Sequence, residues 1–92
     1  MTVTPEGAIT LIERQIARKQ LPVPVAKTLR DKYPKARYRI VEEVIEVRAK
    51  EEKLVYYEVL LVTSQKQIWG VELGLDGQII KTEDKTSEEE ED

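Results

Sequence analysis

The sequence predicts one small α+β domain, in which an N-terminal helix–loop–helix packs on one face of a four-stranded antiparallel β-meander. Apolar residues recur at three- and four-residue spacing before Pro34 and in alternation after it, so the hydrophobic period changes once. Short polar turns separate the alternating segments, which favours consecutive antiparallel strands. A chain of 92 residues has room for one core of this kind. We assign residues 1–81 to the domain and residues 82–92 to a disordered acidic tail.

The first helix is predicted to run from Thr4 to Gln20. Thr4 supplies a hydroxyl cap, and Pro5 occupies the first helical position, where its missing N–H costs nothing. The apolar residues that follow share one helical face: Ala8, Leu11, Ile12 and Ile16. Each proline in Leu21–Pro24 disfavours helical geometry at the preceding residue, so we expect the helix to end near Gln20.

A second, shorter helix is predicted to begin with Pro24 in its first turn. Its apolar stripe consists of Val25, Ala26, Leu29 and Tyr33, and Pro34 ends it. The connection between the two helices is only about four residues long, so we expect them to be neighbours in space.

Four strands are predicted after Pro34. They lie at Tyr38–Val47, Leu54–Thr63, Gln67–Leu75 and Ile79–Ile80. In a regular strand, Tyr38 and Ile40 would point to one face and Val41, Ile45 and Val47 to the other. We therefore predict a β-bulge near Glu42-Glu43, which would shift the strand by one residue. Asp76-Gly77 is typical of a tight turn, because glycine readily adopts the positive φ that such turns require.

The residue types that are missing exclude several kinds of enzyme. The chain has no Cys and no His, so disulfides, thiolate catalysis, a histidine base and a histidine-anchored metal are all excluded. Carboxylates occur in pairs at Glu42-Glu43 and Glu51-Glu52, and in the run Glu88–Asp92. Adjacent strand residues point to opposite faces, and turn or tail carboxylates sit in water, so none of these pairs predicts an acid–base dyad. We therefore expect no enzyme, no catalytic residue, no metal ligand and no cofactor.

Charge is distributed unevenly along the chain. The segment Arg14–Arg39 has nine basic residues and one acid, a net charge of +8, whereas Thr82–Asp92 carries −6. The basic segment, with Tyr33 and Tyr38, could bind an anion or a nucleic acid. No glycine-rich phosphate loop or nucleic-acid motif accompanies it, so we favour solvated helix faces. The chain also lacks an apolar run of the roughly twenty residues that span a membrane, so no insertion is expected.

The segment from Leu54 to Leu75 offers apolar side chains to both faces of the predicted sheet. One alternating set is Val55, Tyr57, Val59 and Leu61, which we assign to the core. The other set, with a residue of the next strand, forms an apolar patch rimmed by charge: Tyr56, Glu58, Leu60, Val62 and Ile68. We interpret this patch as the contact surface of a non-enzymatic binding or regulatory module for a protein or peptide. A homodimer through the same face, a wetted sheet and a purely structural domain of a larger assembly are the alternatives.

Several short motifs, in this order, resemble the PepSY-like family. They are Leu21-Pro22, Val25-Ala26-Lys27, Tyr33-Pro34, Tyr56-Tyr57-Glu58-Val59 and Leu75-Asp76-Gly77-Gln78-Ile79. The resemblance covers about Leu21 to Lys81 and implies a helical pair on a four-stranded sheet, related in fold to the β-lactamase inhibitor protein. It further implies a bacterial protein of the periplasm or the secreted fraction. Its inhibitor relatives bind proteins through the exposed sheet face.

The chain departs from the family pattern in two respects. No basic-then-apolar export signal opens it, so the localisation stays open, and the acidic tail is not part of the pattern. No motif for inhibitory residues is present, so none is assigned.

Overall fold

The computed structural model describes residues 10–86, which form one five-stranded antiparallel sheet with one α-helix on one side. The elements are β1 (Thr10–Gln15), α1 (Val23–Lys32), β2 (Arg37–Arg48), β3 (Glu51–Val62), β4 (Ile68–Leu73) and β5 (Ile79–Asp84). A 3-10 turn at Arg18–Gln20 lies between β1 and α1. The strand order is β1-β2-β3-β4-β5, so strands that follow one another in the chain are neighbours in the sheet.

The predicted helix–loop–helix on a four-stranded meander is wrong, because part of the expected first helix is a strand. Residues 10–15 form β1, which pairs antiparallel with β2 and places Ile12 opposite Ile45. The spacing of Leu11, Ile12 and Ile16 fits a helix locally, but pairing with a distant strand outweighs that weak preference. All six residues of β1 are exposed, so this edge strand has no inside–outside alternation to read. The beginning of the predicted helix, residues 4–9, lies outside the described residues.

The predicted second helix is confirmed as α1. It begins at Val23 with Pro24 in its first turn, and it ends at Lys32, two residues before Pro34. Val25 and Leu29 are fully buried on the side that faces the sheet. Helix α1 therefore covers one face of the sheet.

The main core lies between α1 and the sheet. Its buried members are Leu21, Val25, Leu29, Val41, Tyr57, Val59, Leu61, Val71 and Leu73. The prediction that Tyr57 and Val59 are core residues is confirmed, since Val59 is fully buried and Tyr57 is 5% exposed. Residues that alternate with these along each strand point to the opposite side of the sheet, which we call the second face.

Three register shifts decide which side chains reach each face, and none lies at Glu42-Glu43, where we predict a bulge. In β2, Arg39 is an extra residue between the pairs Tyr38–Leu61 and Ile40–Leu60. Its insertion turns Tyr38 and Val41 to the same, helix-facing side. In β3, Val55 is the extra residue, so Leu54 instead packs against the core. In β5, Ile80 is the extra residue between the pairs Glu72–Lys81 and Leu73–Ile79.

The predicted turn at Asp76-Gly77 is confirmed, whereas Glu51 and Glu52, which were expected in a turn, belong to β3. Ala49 and Lys50, both with positive φ, connect β2 to β3, and Lys66 has φ 69° in the turn between β3 and β4. In the turn between β4 and β5, Gly77 has φ 91° and lies against the backbone of Pro24. That close approach joins the turn to the start of α1.

Strand β5 continues through Asp84, so its last three residues fall inside the segment predicted as tail. Beyond it, the N–H of Lys85 donates to the carbonyl of Ile68 at 2.8 Å, and the N–H of Ile68 donates to Thr86 Oγ1 at 2.9 Å. The remainder of the predicted tail, Ser87–Asp92, lies outside the described residues. No helix within residues 10–86 is long and apolar enough to cross a membrane.

Candidate functional site

The second face brings the predicted contact residues together. The strand register places Tyr56, Glu58, Leu60 and Val62 of β3 and Ile68 of β4 on this side. The first four are half-buried, whereas Ile68 is only 8% exposed. Ile68 therefore packs beneath its neighbours and has little surface left for contact with a partner.

Two exposed apolar side chains on the same face were missed by sequence reasoning. Ile40 lies opposite Leu60 and is 39% exposed, and Leu11 of β1 is 53% exposed. The bulge at Arg39 turns Ile40 to this side, and Leu11 was expected on a helix. In a regular strand, Tyr38 and Val41 would point to opposite faces. This mismatch between two apolar residues was the signal that could have located Ile40 on the second face.

A row of charged residues crosses the second face at right angles to the strands. Glu42, Glu58 and Glu72 lie directly opposite one another on β2, β3 and β4, and Lys81 of β5 follows Glu72. Like charges directly opposite each other destabilise an antiparallel sheet, whereas opposite charges stabilise it. The middle of the second face thus carries a repulsion that the rest of the fold has to outweigh.

Glu13 of β1 completes a cluster of three carboxylates with Glu42 and Glu58. One carboxylate oxygen from each of the three residues lies within 4.8 Å of the other two. Burial raises the pKa of Glu58, a hydrogen bond to Glu13 raises it further, and the nearby acids bring the pKa to about 7. Burial and the charge of Glu13 also raise the pKa of Glu42. The protonated form of the Glu58 carboxyl therefore persists to a higher pH than that of an ordinary glutamate.

The spacing of the three carboxylates is compatible with a single hard cation, whose oxygen ligands lie about 2.3–2.6 Å from Ca²⁺. Ca²⁺ takes about six to eight oxygens, so most of its ligands would have to be water or a partner's groups. A carboxyl with a pKa near 7 beside a carboxylate can also exchange a proton at neutral pH. Sequence reasoning missed the cluster because Glu13 was placed on a helix and Glu42 was compared only with its neighbour Glu43.

A depression of about 200 Å³ lies over the cluster. It is lined by Glu13, Ile40, Glu42, Glu58, Val59, Leu60, Gly70 and Lys85. Small-molecule sites are usually about 300–1,000 Å³, so this depression suits the end of one side chain better than a separate ligand. Lys85 passes close to Gly70, at 3.1 Å from the position that a β-carbon would take there. Its ammonium forms no ion pair with another residue in the described range 10–86.

A larger groove lies on the helix side of the sheet. Its volume is about 710 Å³, and it is lined by Lys32, Tyr33, Pro34, Lys35, Ala36, Thr63, Ser64, Gln65, Gln67, Trp69, Ile79 and Thr82. Sequence reasoning did not locate it, because it forms where the end of α1 meets β4, β5 and the turn before β4. The groove and the second face are on opposite sides of the sheet, so they are separate surfaces.

The basic residues of the sequence do not form one continuous helical surface. Arg14 lies on β1, where it forms ion pairs with Glu43 at 3.4 Å and Glu52 at 3.9 Å. The Arg18 guanidinium stacks over the ring of Tyr38 at 3.8 Å from its centroid. Tyr38 is therefore already stacked on one face, which weakens the alternative in which it stacks on a base.

Comparisons with family models, with curated proteins and with solved structures find no match to this chain. The resemblance to the PepSY-like family therefore remains a prediction. Function has to be argued from the two faces of the sheet.

Proposed function

We propose that this protein is a non-enzymatic binding module, and that its second face contacts a protein segment carrying both basic and apolar side chains. The observation that carries the proposal is the position of the carboxylate cluster within an apolar surface. Leu60 and Ile40 lie directly beside the cluster and line the same depression as Glu58.

Apolar contact would supply most of the affinity. Ile40 is 39% exposed and Leu60 is half-buried, and both lie in the middle strands of the sheet. Side chains of this kind are stabilised when a partner removes their remaining surface from water. Ring burial at Tyr56 would add to this contribution, because aromatic residues often dominate such interfaces.

Charge would select the partner. An acidic or neutral segment would leave the repulsion between Glu13, Glu42 and Glu58 in place, or would increase it. A Lys or Arg side chain in the depression would offset that repulsion, and Arg could bind a carboxylate through two parallel hydrogen bonds. Such a partner would favour the ionised form of Glu58, so binding should strengthen as pH rises through about 7.

The test uses three synthetic peptides of equal length, alternating Leu with Arg, Leu with Glu, and Ser with Arg. Each is titrated into isotopically labelled protein while backbone NMR signals are followed. We expect only the Leu/Arg peptide to saturate, with the largest shifts at Tyr56, Glu58 and Leu60. Shifts confined to the basic side of α1, or equal binding of the Ser/Arg peptide, would contradict the proposal. In a parallel titration, saturation of the same signals by Ca²⁺ alone would identify a cation site instead.

Leu60→Asp should weaken binding of the Leu/Arg peptide at least roughly tenfold, because it removes an apolar contact from the middle of the second face. The matched control is Leu75→Asp, since Leu75 is 45% exposed in the turn between β4 and β5. Circular dichroism establishes whether each variant is folded. If Leu60→Asp unfolds, Glu58→Gln replaces it as the test variant. It removes a carboxylate that the peptide's Arg would contact, so it should also weaken binding of the Leu/Arg peptide, and it disturbs no apolar contact.

A further inference from the structure

The outer edge of β5 is one border of the sheet in the described residues. Among the described residues, β5 pairs only with β4, and five of its six residues are exposed. An unpaired edge presents a row of N–H and C=O groups that another strand can join. The question is whether the side chains along β5 prevent such pairing or direct it.

The ladder between β4 and β5 determines which backbone groups point outward. The N–H of Lys85 donates to Ile68, so Lys85 is in a hydrogen-bonded pair with β4. Hydrogen-bonded pairs alternate along an antiparallel ladder, so Lys81 and Glu83 also direct their backbone groups towards β4. The backbone groups of Thr82 and Asp84 consequently point away from the sheet.

The side chains of β5 alternate in the same way. Lys81 and Glu83 lie on the second face, opposite Glu72 and Gly70, whereas Thr82 lies opposite Val71 on the helix side. Neither Lys81 nor Glu83 forms an ion pair with another residue in the range 10–86. Both side chains are exposed, so a strand that arrives at this edge can approach their charges.

A second copy of β5 meets these constraints when the pairing is centred on Thr82. When two copies pair antiparallel about a two-fold axis at Thr82, the two Thr82 residues exchange backbone hydrogen bonds. Each Lys81 then lies opposite Glu83 of the other copy. Shifting the register to centre on Lys81 or on Glu83 places like charges opposite each other, which destabilises the sheet.

We propose that two copies of the protein associate through the outer edges of their β5 strands. The two sheets then form one continuous ten-stranded sheet, with a two-fold axis at Thr82. The charges at Lys81 and Glu83 select this register. Ile79 and Thr82 line the 710 Å³ groove, so the two grooves would adjoin on the helix side of the dimer. The second face stays open in this arrangement, and the proposal does not rest on the function assigned to that face.

The test is sedimentation of the full chain over a wide concentration range, together with charge-reversal variants. Wild type should form dimers, and Lys81→Glu and Glu83→Lys should each weaken the dimer at least roughly tenfold. The double variant should recover wild-type dimerisation, because it restores opposite charges with their positions exchanged. An equimolar mixture of the two single variants should form heterodimers for the same reason.

Two further measurements keep the test decisive. Hydrogen exchange at the Thr82 amide should slow as protein concentration rises, and Thr82→Pro should abolish dimers because it removes the outward N–H. Lys81→Glu also places a carboxylate opposite Glu72, so Glu83→Lys is the reference variant if the former is unfolded. A wild-type monomer at all concentrations would overturn the proposal. So would a dimer that both charge reversals leave intact, or one that Leu60→Asp dissociates.

Discussion

Replacing Glu58 with Gln should stabilise the protein at alkaline pH and flatten its stability profile between about pH 5 and pH 8. In the folded protein, burial, the hydrogen bond to Glu13 and the charges of nearby acids raise the pKa of Glu58 from 4.5 to about 7. In the unfolded chain this carboxyl has its ordinary pKa. The folded state therefore binds a proton more tightly than the unfolded state does.

The sign of the effect follows from that difference. Below about 4.5 the carboxyl is protonated in both states, and the stability associated with its protonated form is fully present. As pH rises towards 7, the unfolded chain ionises first, so the free energy of unfolding falls until Glu58 ionises in the folded state as well. Because Glu58 is half-buried and solvent screens its charge, we expect the total loss to be about 1–2 kcal/mol.

Glu58→Gln keeps the shape of the side chain and keeps a donor for the carboxylate of Glu13, but it cannot ionise. At about pH 8 we expect the variant to exceed wild type by about 1–2 kcal/mol, and near pH 5 the two should be nearly equal. Urea unfolding measured across this range provides the comparison. Glu46→Gln is the matched control, since Glu46 lies on the same strand face but opposite Lys53.

Two results would refute this reasoning. One is a wild-type stability that does not change between pH 5 and pH 8, and the other is an equal gain in stability from Glu46→Gln. Either would mean that the charge at Glu58 is screened by water and that the cluster carries no appreciable repulsion.

Two further predictions concern the fold itself. Gly77→Ala should destabilise the protein by about 1–3 kcal/mol, because Gly77 has φ 91° and a β-carbon there would collide with the backbone of Pro24. Gly74→Ala should cost less, since no positive φ is required there, and thermal unfolding distinguishes the two. Leu61→Ala should cost about 2–5 kcal/mol, because Leu61 is fully buried, whereas Leu75→Ala in the exposed turn should cost well under 1 kcal/mol. Equal losses measured by urea unfolding would contradict the core assignment.

The strands between residues 37 and 80 could largely be predicted because their information is local. Alternation placed Tyr57 and Val59 in the core, and Asp76-Gly77 identified a turn. Strand β1 could not be predicted in the same way, because an exposed edge strand has no buried face and its pairing depends on residues far along the chain. A helical spacing over a few apolar residues is then misleading.

The candidate site was predictable only within one strand. Tyr56, Glu58, Leu60 and Val62 share a face by simple alternation, so the sequence placed them together. The acidic neighbours of Glu58 come from other strands, and register alone brings Glu42 opposite it. The register depends in turn on the β-bulges. The alternation of apolar residues indicated that β2 contains a bulge, but it did not determine at which residue.

The pairing of β1 has a consequence for how the protein folds and how it unfolds locally. The strands β2 to β5 are joined to their neighbours by short turns, whereas α1 lies between β1 and β2 in the chain and Thr10 pairs with the distant Val47. An exposed edge strand of this kind is also the first element to detach in local unfolding. Each detachment removes Glu13 from the carboxylate cluster and relieves the repulsion there. Protonation of Glu58 should therefore make detachment of β1 less favourable, because it reduces the charge repulsion that detachment relieves.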